Sequence, residues 1–241
     1  MTAAPELSNI RIRAIDEVAE MRAVEELQKE VWGIPDLDVV PLTQLVAAKE
    51  AGGVLIGAFD GATLVGFVYG FPSYERGRLA HHSHMLAVKP AYRNFDLGRR
   101  LKLAQRDHVI PQGIELISWT FDPLQSLNAH FNFNKLGVIA DRYLPDFYGQ
   151  EAASFLHQTG TDRLWVSWLV SRERGNQMAG EDEIAIGIPS DINALVQHSP
   201  ELALKWRVET RRAFTEALDA GYIVTSFVRD QNGGKYLLSK S

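Results

Sequence analysis

The sequence predicts an α+β (mixed α/β) fold. Helical and strand periodicities interleave early, strands then dominate, and no repeat or low-complexity segment interrupts the pattern.

Each element has its own signal. NIRIRAI (9–15) reads as a strand. Val18, Met21, Val24, Leu27 and Val31 recur at three- and four-residue spacing, an amphipathic helix over 16–31 with Asp16 as its expected cap. PLTQLVAAKEAGG is a second helix, entered at Pro41 and left at Gly52. VLIGAF and TLVGFVYGF, joined by DGA, form a hairpin. HSHMLAV is a strand, and LGRRLKLAQRDHVI a helix stopped by Pro111-Gln112-Gly113. IELISWTF is a strand, QSLNAHFNFNKLG a helix ending at Gly137, and VIADRYLPDFYG and RLWVSWLV complete the sheet. The polar, glycine-containing stretch 172–182 is expected to be a linker between a domain 1–171 and a smaller α+β extension 183–241. In the extension follow the strand EIAIGIP, a short helix near 191–197, a long helix 200–219, and strands YIVTSFVRD and KYLLS around QNGG. On the long helix Trp206, Thr210, Ala213, Phe214 and Ala217 form the expected buried stripe, while Arg207 and Arg211, one turn apart, suit a carboxylate clamp or surface pairs with Glu201 or Glu209.

Bulk composition narrows the function. The 241 residues are 46% apolar and 23% charged with a net charge of −5, which argues against a broad nucleic-acid surface. No stretch approaches the roughly 18 apolar residues that span a bilayer, and MTAAPELSN lacks the basic and apolar segments of a signal peptide. With no cysteine there is no thiol nucleophile, disulfide or thiolate metal site; a cytoplasmic protein without membrane or nucleic-acid partners is expected.

The densest chemistry lies in HHSHMLAVKPAYRNFDLGRRLKLAQ (81–105). A strand runs to Lys89-Pro90, a turn follows, and a helix starts near Leu97-Gly98 with Arg93, Arg99, Arg100 and Lys102 around it. Free N–H groups and partial positive charge at such a start suit a phosphate; an ordinary capped helix with a solvated basic face has the same pattern. His82 and His84 share one strand face and His81 the other. Imidazole titrates near 6.5, the range for a base that must deprotonate an amine. Surface histidines, or a satisfied core pair, would look alike, and no carboxylate is spaced beside them for a metal, so none is expected.

LAVKPAYRNFDLGRRL resembles motif A of the GNAT (GCN5-related N-acetyltransferase) superfamily, and NAHFNFNKLG (128–137) resembles motif B. The order of elements from 9 to 171 is similar too, and HSHMLAV, LKLAQR and TFDPLQSLNAHFNFNKLG resemble a bacterial subgroup of predicted GNAT acetyltransferases with a C-terminal extension. The resemblance implies a central mixed, mostly antiparallel sheet flanked by helices, and an N-acyltransferase using acetyl-CoA or another acyl-CoA as co-substrate. It implies that the backbone of Leu86, Ala87 and Val88 receives the thioester arm. Arg93, Asn94, Phe95, Asp96, Leu97, Gly98 and Arg99 would hold the pyrophosphate, with Asn128 and Asn134 reaching the coenzyme arm. Some members carry a glutamate base eleven residues before the motif A arginine; here that place is His82, with His84 as the alternative.

Two departures stand out. Asp96 replaces a motif glycine and is placed to cap the helix with its own carboxylate, in competition with a pyrophosphate. At about 4 Å and an effective dielectric near 20, like charges oppose each other by about 4 kcal/mol, which the four nearby cations would offset. Phe133 stands where many members have the tyrosine acid, which leaves Tyr143, Tyr148 or solvent to protonate the thiolate. Asp122, after the next strand, is either a cap or a group that orients an acceptor ammonium. The expected acceptor is a small-molecule amine or amino acid, attacked directly in a ternary complex. Succinyl-CoA with an amino acid is the alternative donor pair. A non-catalytic coenzyme A-binding or interaction protein on a degenerate GNAT scaffold, with the extension as a possible homodimer surface, is the competing class.

Overall fold

The computed structural model describes residues 9–149, 159–170, 182–229 and 233–240, the side chain of Asn94 excepted. The expected linker 172–182 lies outside them but for Asp182. The chain divides into two compact units, Met1–Ile117 and Ser118–Ser241.

The first unit is a four-stranded antiparallel sheet in sequential order: β1 (Ile10–Ala14), β2 (Val54–Asp60), β3 (Thr63–Glu75) and β4 (Arg78–Val88). Side-chain alternation along β3 gives it two different faces. Phe67 and Tyr69 join Met21, Val24, Leu27, Leu45 and Ala48 of helices α1 (Val18–Trp32) and α2 (Leu42–Glu50) in one core. Gly66 and Gly70 face the other way, toward Leu101 and Gln105 of helix α3 (Leu97–Val109). Asp16 does not cap α1: the chain turns at Glu17 without a side-chain cap, and the Asp16 carboxylate pairs instead with Lys49 at the end of α2.

The β3–β4 hairpin is longer than the sequence suggests. Arg76 (φ 50°) and Gly77 (φ 79°) are both left-handed, the two-residue turn that matches strand twist. Pro72 is tolerated because β2 pairs no further than Gly70, so no ladder donor is needed beyond it on that side.

The second unit takes in β5 (Leu116–Phe121), at whose start the division falls, with β6 (Ile139–Leu144), β7 (Arg163–Leu169), β8 (Glu183–Pro189), β9 (Tyr222–Arg229) and β10 (Gly233–Lys240). Their order is β5-β7-β6-β9-β10-β8. The strands after residue 182 therefore continue the same sheet through β9, which joins β6 at Ala140↔Val224. Helix α4 (Ser126–Ala129) runs into a π-helical stretch His130–Leu136 that ends on left-handed Gly137, and α5 (Ile192–His198) and α6 (Pro200–Asp219) complete the unit. Phe133, Phe214 and Phe227 meet Tyr236 edge-on or tilted at 4.8–5.7 Å, the aromatic centre of its core. No described helix is long and apolar enough to cross a membrane.

Candidate active site

The β4–turn–α3 segment concentrates the site residues of the first unit. The ladder between β3 and β4 slips by one residue: Gly70 pairs with Ser83 and Tyr69 with Met85, so His84 is a bulge. Bulges re-aim side chains and interrupt pairing. Here the slip reverses the parity of β4: Met85 and Ala87 stand beside Tyr69 and Phe67. His82 and His84 do share a face, as expected, and both rings pack on Phe71, at 5.5 and 5.7 Å, with Tyr69 6.0 Å from His84. The two imidazoles are 6.1 Å apart. His81 points to the opposite side and is fully buried.

These surroundings hold the imidazoles neutral. Burial first, then the neighbouring His84 and Lys102, push His82 down to about 4. His81 falls to about 3, from burial and then Lys102. His84 belongs to an exposed position, yet the protein packed around its ring lowers it too. At neutral pH both histidines on the Phe71 face are unprotonated acceptors.

Beyond β4 the chain makes a short 3-10 turn, Pro90–Phe95, and enters α3 through Asp96 at φ 55°, ψ 20°. Asp96 does not cap α3. A capping side chain needs an extended backbone to bring its oxygen over the next turn's amides, and the left-handed conformation denies it that position. The carboxylate lies 3.6 Å from Arg99 Nη1 instead. The expected ring of four cations is smaller. Lys102 is 2% exposed and turned into the protein, because it falls on the buried stripe of α3 with Leu97, Leu101, Gln105 and Val109. Arg100 Nη2 donates to the Ile10 carbonyl at 3.2 Å. Arg93 is exposed and its Nε donates to the Val88 carbonyl, so Arg93 and Arg99 are the cations beside an amide end that no side chain caps.

The remaining expected residues belong to the second unit. Tyr143 donates to Asp162 at 2.6 Å and stacks on Phe214; burial, then Asp162, raises it far above an ordinary phenol. Tyr148 is exposed, with its ring 5.1 Å from the Arg163 guanidinium. Asn128 is exposed and Asn134 half-buried. Phe133 is 3% exposed, edge-on to Phe121 and Tyr236. Asp122 caps the turn at Leu124, before α4, and accepts from Arg207 at 2.7 Å. Arg207 and Arg211 do clamp carboxylates, but the protein's own. Arg211 holds both Asp146 and Asp162, and Arg207 also holds the Thr159 carbonyl. Sequence reasoning missed Asp162, whose side chain is fully buried; nothing in TGTDRLW separates it from a loop aspartate. Among the described residues no group of His, Asp or Glu is placed to hold a metal ion.

The family model for the acetyltransferase (GNAT) family matches residues 16–138, half of the chain. The chain belongs to the GNAT acetyltransferase family. Solved structures agree on the fold. A GNAT-family protein from Desulfovibrio desulfuricans is 15% identical at a TM-score of 0.55, with 67% of this chain and 99% of that one covered. The ribosomal-protein-S18-alanine N-acetyltransferase of Escherichia coli is 13% identical at 0.54, covering 71% and 99%. An aminoglycoside 6'-N-acetyltransferase complexed with coenzyme A is 18% identical at 0.51, covering 68% and 98%. No curated protein matches. Membership carries the family's general activity, acetyl transfer from an acyl-CoA. About a third of this chain has no counterpart in those three structures.

Proposed function

We propose that the protein transfers an acetyl group from acetyl-CoA to the amine of a small molecule or amino acid, by direct attack in a ternary complex. The observation that carries this reading is the open amide end of α3, with Asp96 turned aside to Arg99. A diphosphate placed there meets backbone donors and two arginines. The backbone of Leu86, Ala87 and Val88 receives the thioester arm, and residues 93–99 the diphosphate.

The neutral amine forms a bond to the thioester carbonyl carbon, and the carbon–sulfur bond breaks. The amine's proton passes, directly or through water, to His82 or His84; both are unprotonated at neutral pH, and His82, held down to about 4, lies well below the range that best suits a base. The leaving thiolate, with a pKa near 8–9, needs little help and takes its proton from solvent. The coenzyme A complex among the similar structures supports the donor; those structures include both an aminoglycoside and a ribosomal-protein acetyltransferase, so the small-molecule acceptor rests on this chain's net charge of −5.

The test is thiol release from acetyl-CoA with a panel of amines and amino acids, beside calorimetry of coenzyme A. Turnover that falls at least about a hundredfold in His82→Ala or His84→Ala, with coenzyme affinity kept, is the expected result. Coenzyme binding without turnover for any amine would make the protein a binding module.

A further inference from the structure

The face of β4 that looks toward α3 carries polar groups which the proposed reaction does not use. His81 and Ser83 are 0% and 4% exposed; Lys102 and Gln105, three residues apart on α3, are 2% and 0% exposed. Lys102 Nζ donates to Ser83 Oγ at 2.7 Å, and Gln105 Nε2 stands 3.1 Å from His81 Nε2. Two residues of strand advance about 6.6 Å and three of helix about 4.5 Å, close enough for both links to form side by side. Residue 70 of β3 makes room for them. A Cβ there would sit 2.4 Å from His81 Nε2 and 2.9 Å from Gln105 Nε2, so the links require the glycine.

A buried lysine is a poor way to hold two layers together: burial holds its amine well below the usual lysine range. Its desolvation opposes folding, and an unbranched apolar side chain of similar length fills the same space without that cost. What the polar links add is direction. Ser83 lies between His82 and His84, where the ladder to β3 slips and backbone pairing restrains the strand least. On the other side of the links is the helix whose amide end faces the proposed diphosphate.

We propose that Lys102 and Ser83, backed by Gln105, His81 and Gly70, are positioning residues that pin β4 at its bulge to α3. They fix the two histidines on the opposite face relative to the coenzyme-binding end of the same helix. This inference rests on the acyltransferase reading of those histidines and that helix.

Lys102→Met in the full chain is the test. The expected result is an unfolding temperature unchanged or raised and a coenzyme A affinity within about twofold. The turnover number drops about tenfold or more with the KM for acetyl-CoA unchanged, the signature of misplaced reacting groups. The ring resonances of labelled His82 and His84 also move, while Arg106→Ala, on the same helix but outside the links, leaves them in place. Gln105→Leu, which keeps the lysine, is read in the same way should Lys102→Met fail to fold. Turnover within twofold of the parent overturns the proposal. So does a loss matched by lower stability and weaker coenzyme binding, since the links would then only hold layers together. If the unaltered protein acetylates no amine, the acyltransferase reading fails by itself. The histidine resonances then decide alone: movement supports the pinning, and none overturns it.

Discussion

Exchanging Asp96 for asparagine and for glycine separates charge from backbone conformation at the start of α3. Asp96 sits at φ 55°, ψ 20°. Asparagine tolerates that region about as well as aspartate, so Asp96→Asn removes charge alone. Glycine adopts it freely, and Asp96→Gly also relieves a backbone penalty of roughly 1 kcal/mol. The Asp96 side chain is 51% exposed, so water weakens its repulsion of a bound diphosphate. With two ligand charges at about 7 Å and an effective dielectric of about 60, the repulsion is about 1.5 kcal/mol. Either exchange also frees Arg99, now 3.6 Å from the carboxylate.

Both variants should therefore bind coenzyme A about tenfold more tightly by calorimetry at low salt. Only Asp96→Gly should gain thermal stability, by about 2–4 °C. The gain in affinity should shrink between about 0.01 and 1 M salt, as the screening length falls from about 30 to about 3 Å. An Asp96→Asn protein that binds no more tightly than the parent at low salt would refute the reasoning, since the diphosphate would then lie elsewhere.

Two further predictions concern buried charge. His81 and His82 are held down to about 3 and about 4, so the folded state binds fewer protons than the unfolded chain below pH 6.5. Their stabilisation is complete above pH 6.5 and is lost as pH falls toward 4 and then 3. Urea denaturation across that window should show a slope of up to about 2.7 kcal/mol per pH unit from the two together, about halved in His81→Asn; a flat profile down to pH 4 would contradict the burial of both rings. In the second unit, burial alone would raise Asp162, but hydrogen bonds from Arg211 and Tyr143 hold it low. Arg211→Met leaves that buried carboxylate with Tyr143 and the Asp146 amide alone and, with Arg211 itself 36% exposed, should cost about 2–3 kcal/mol in the same assay. A loss below about 1 kcal/mol would show the carboxylate to be solvated.

Most of the fold was legible because its elements carry period and punctuation. The helix 16–31, the DGA hairpin and the Gly137 stop stand close to where apolar spacing and glycine put them. The pairing of His82 with His84 on one face followed from strand alternation. What stayed hidden depended on contacts distant in sequence. The slip at His84 is a property of the β3–β4 register, and no residue type announces it. Lys102 read as one more cation because its neighbours are arginines; only its place on the buried stripe of α3, opposite Ser83, turns it inward. Asp96 read as a cap from its residue type, but capping and left-handedness compete at a single residue, and the backbone, at φ 55°, decides against the cap.

The chain beyond residue 182 bears on how any deletion should be read. Tyr236 donates to the Pro123 carbonyl at 2.6 Å and its ring meets Phe133; Phe214 stacks on Tyr143; Arg207 and Arg211 satisfy Asp122, Asp146 and Asp162. Removing residues 183–241 would strip an aromatic centre and leave those carboxylates without their guanidinium partners, Asp162 among them with a fully buried side chain. Loss of two large aromatic side chains alone costs several kcal/mol, comparable with the whole stability of many domains. Truncation near 182 should therefore yield an aggregated or unfolded second unit by circular dichroism and gel filtration, and its loss of activity or of self-association would say nothing about an interface. A truncated chain that stays monomeric, folded and able to bind coenzyme A would show instead that the packing around Tyr236 is dispensable. In that case the deletion would become a clean test of what the extension does for the acceptor.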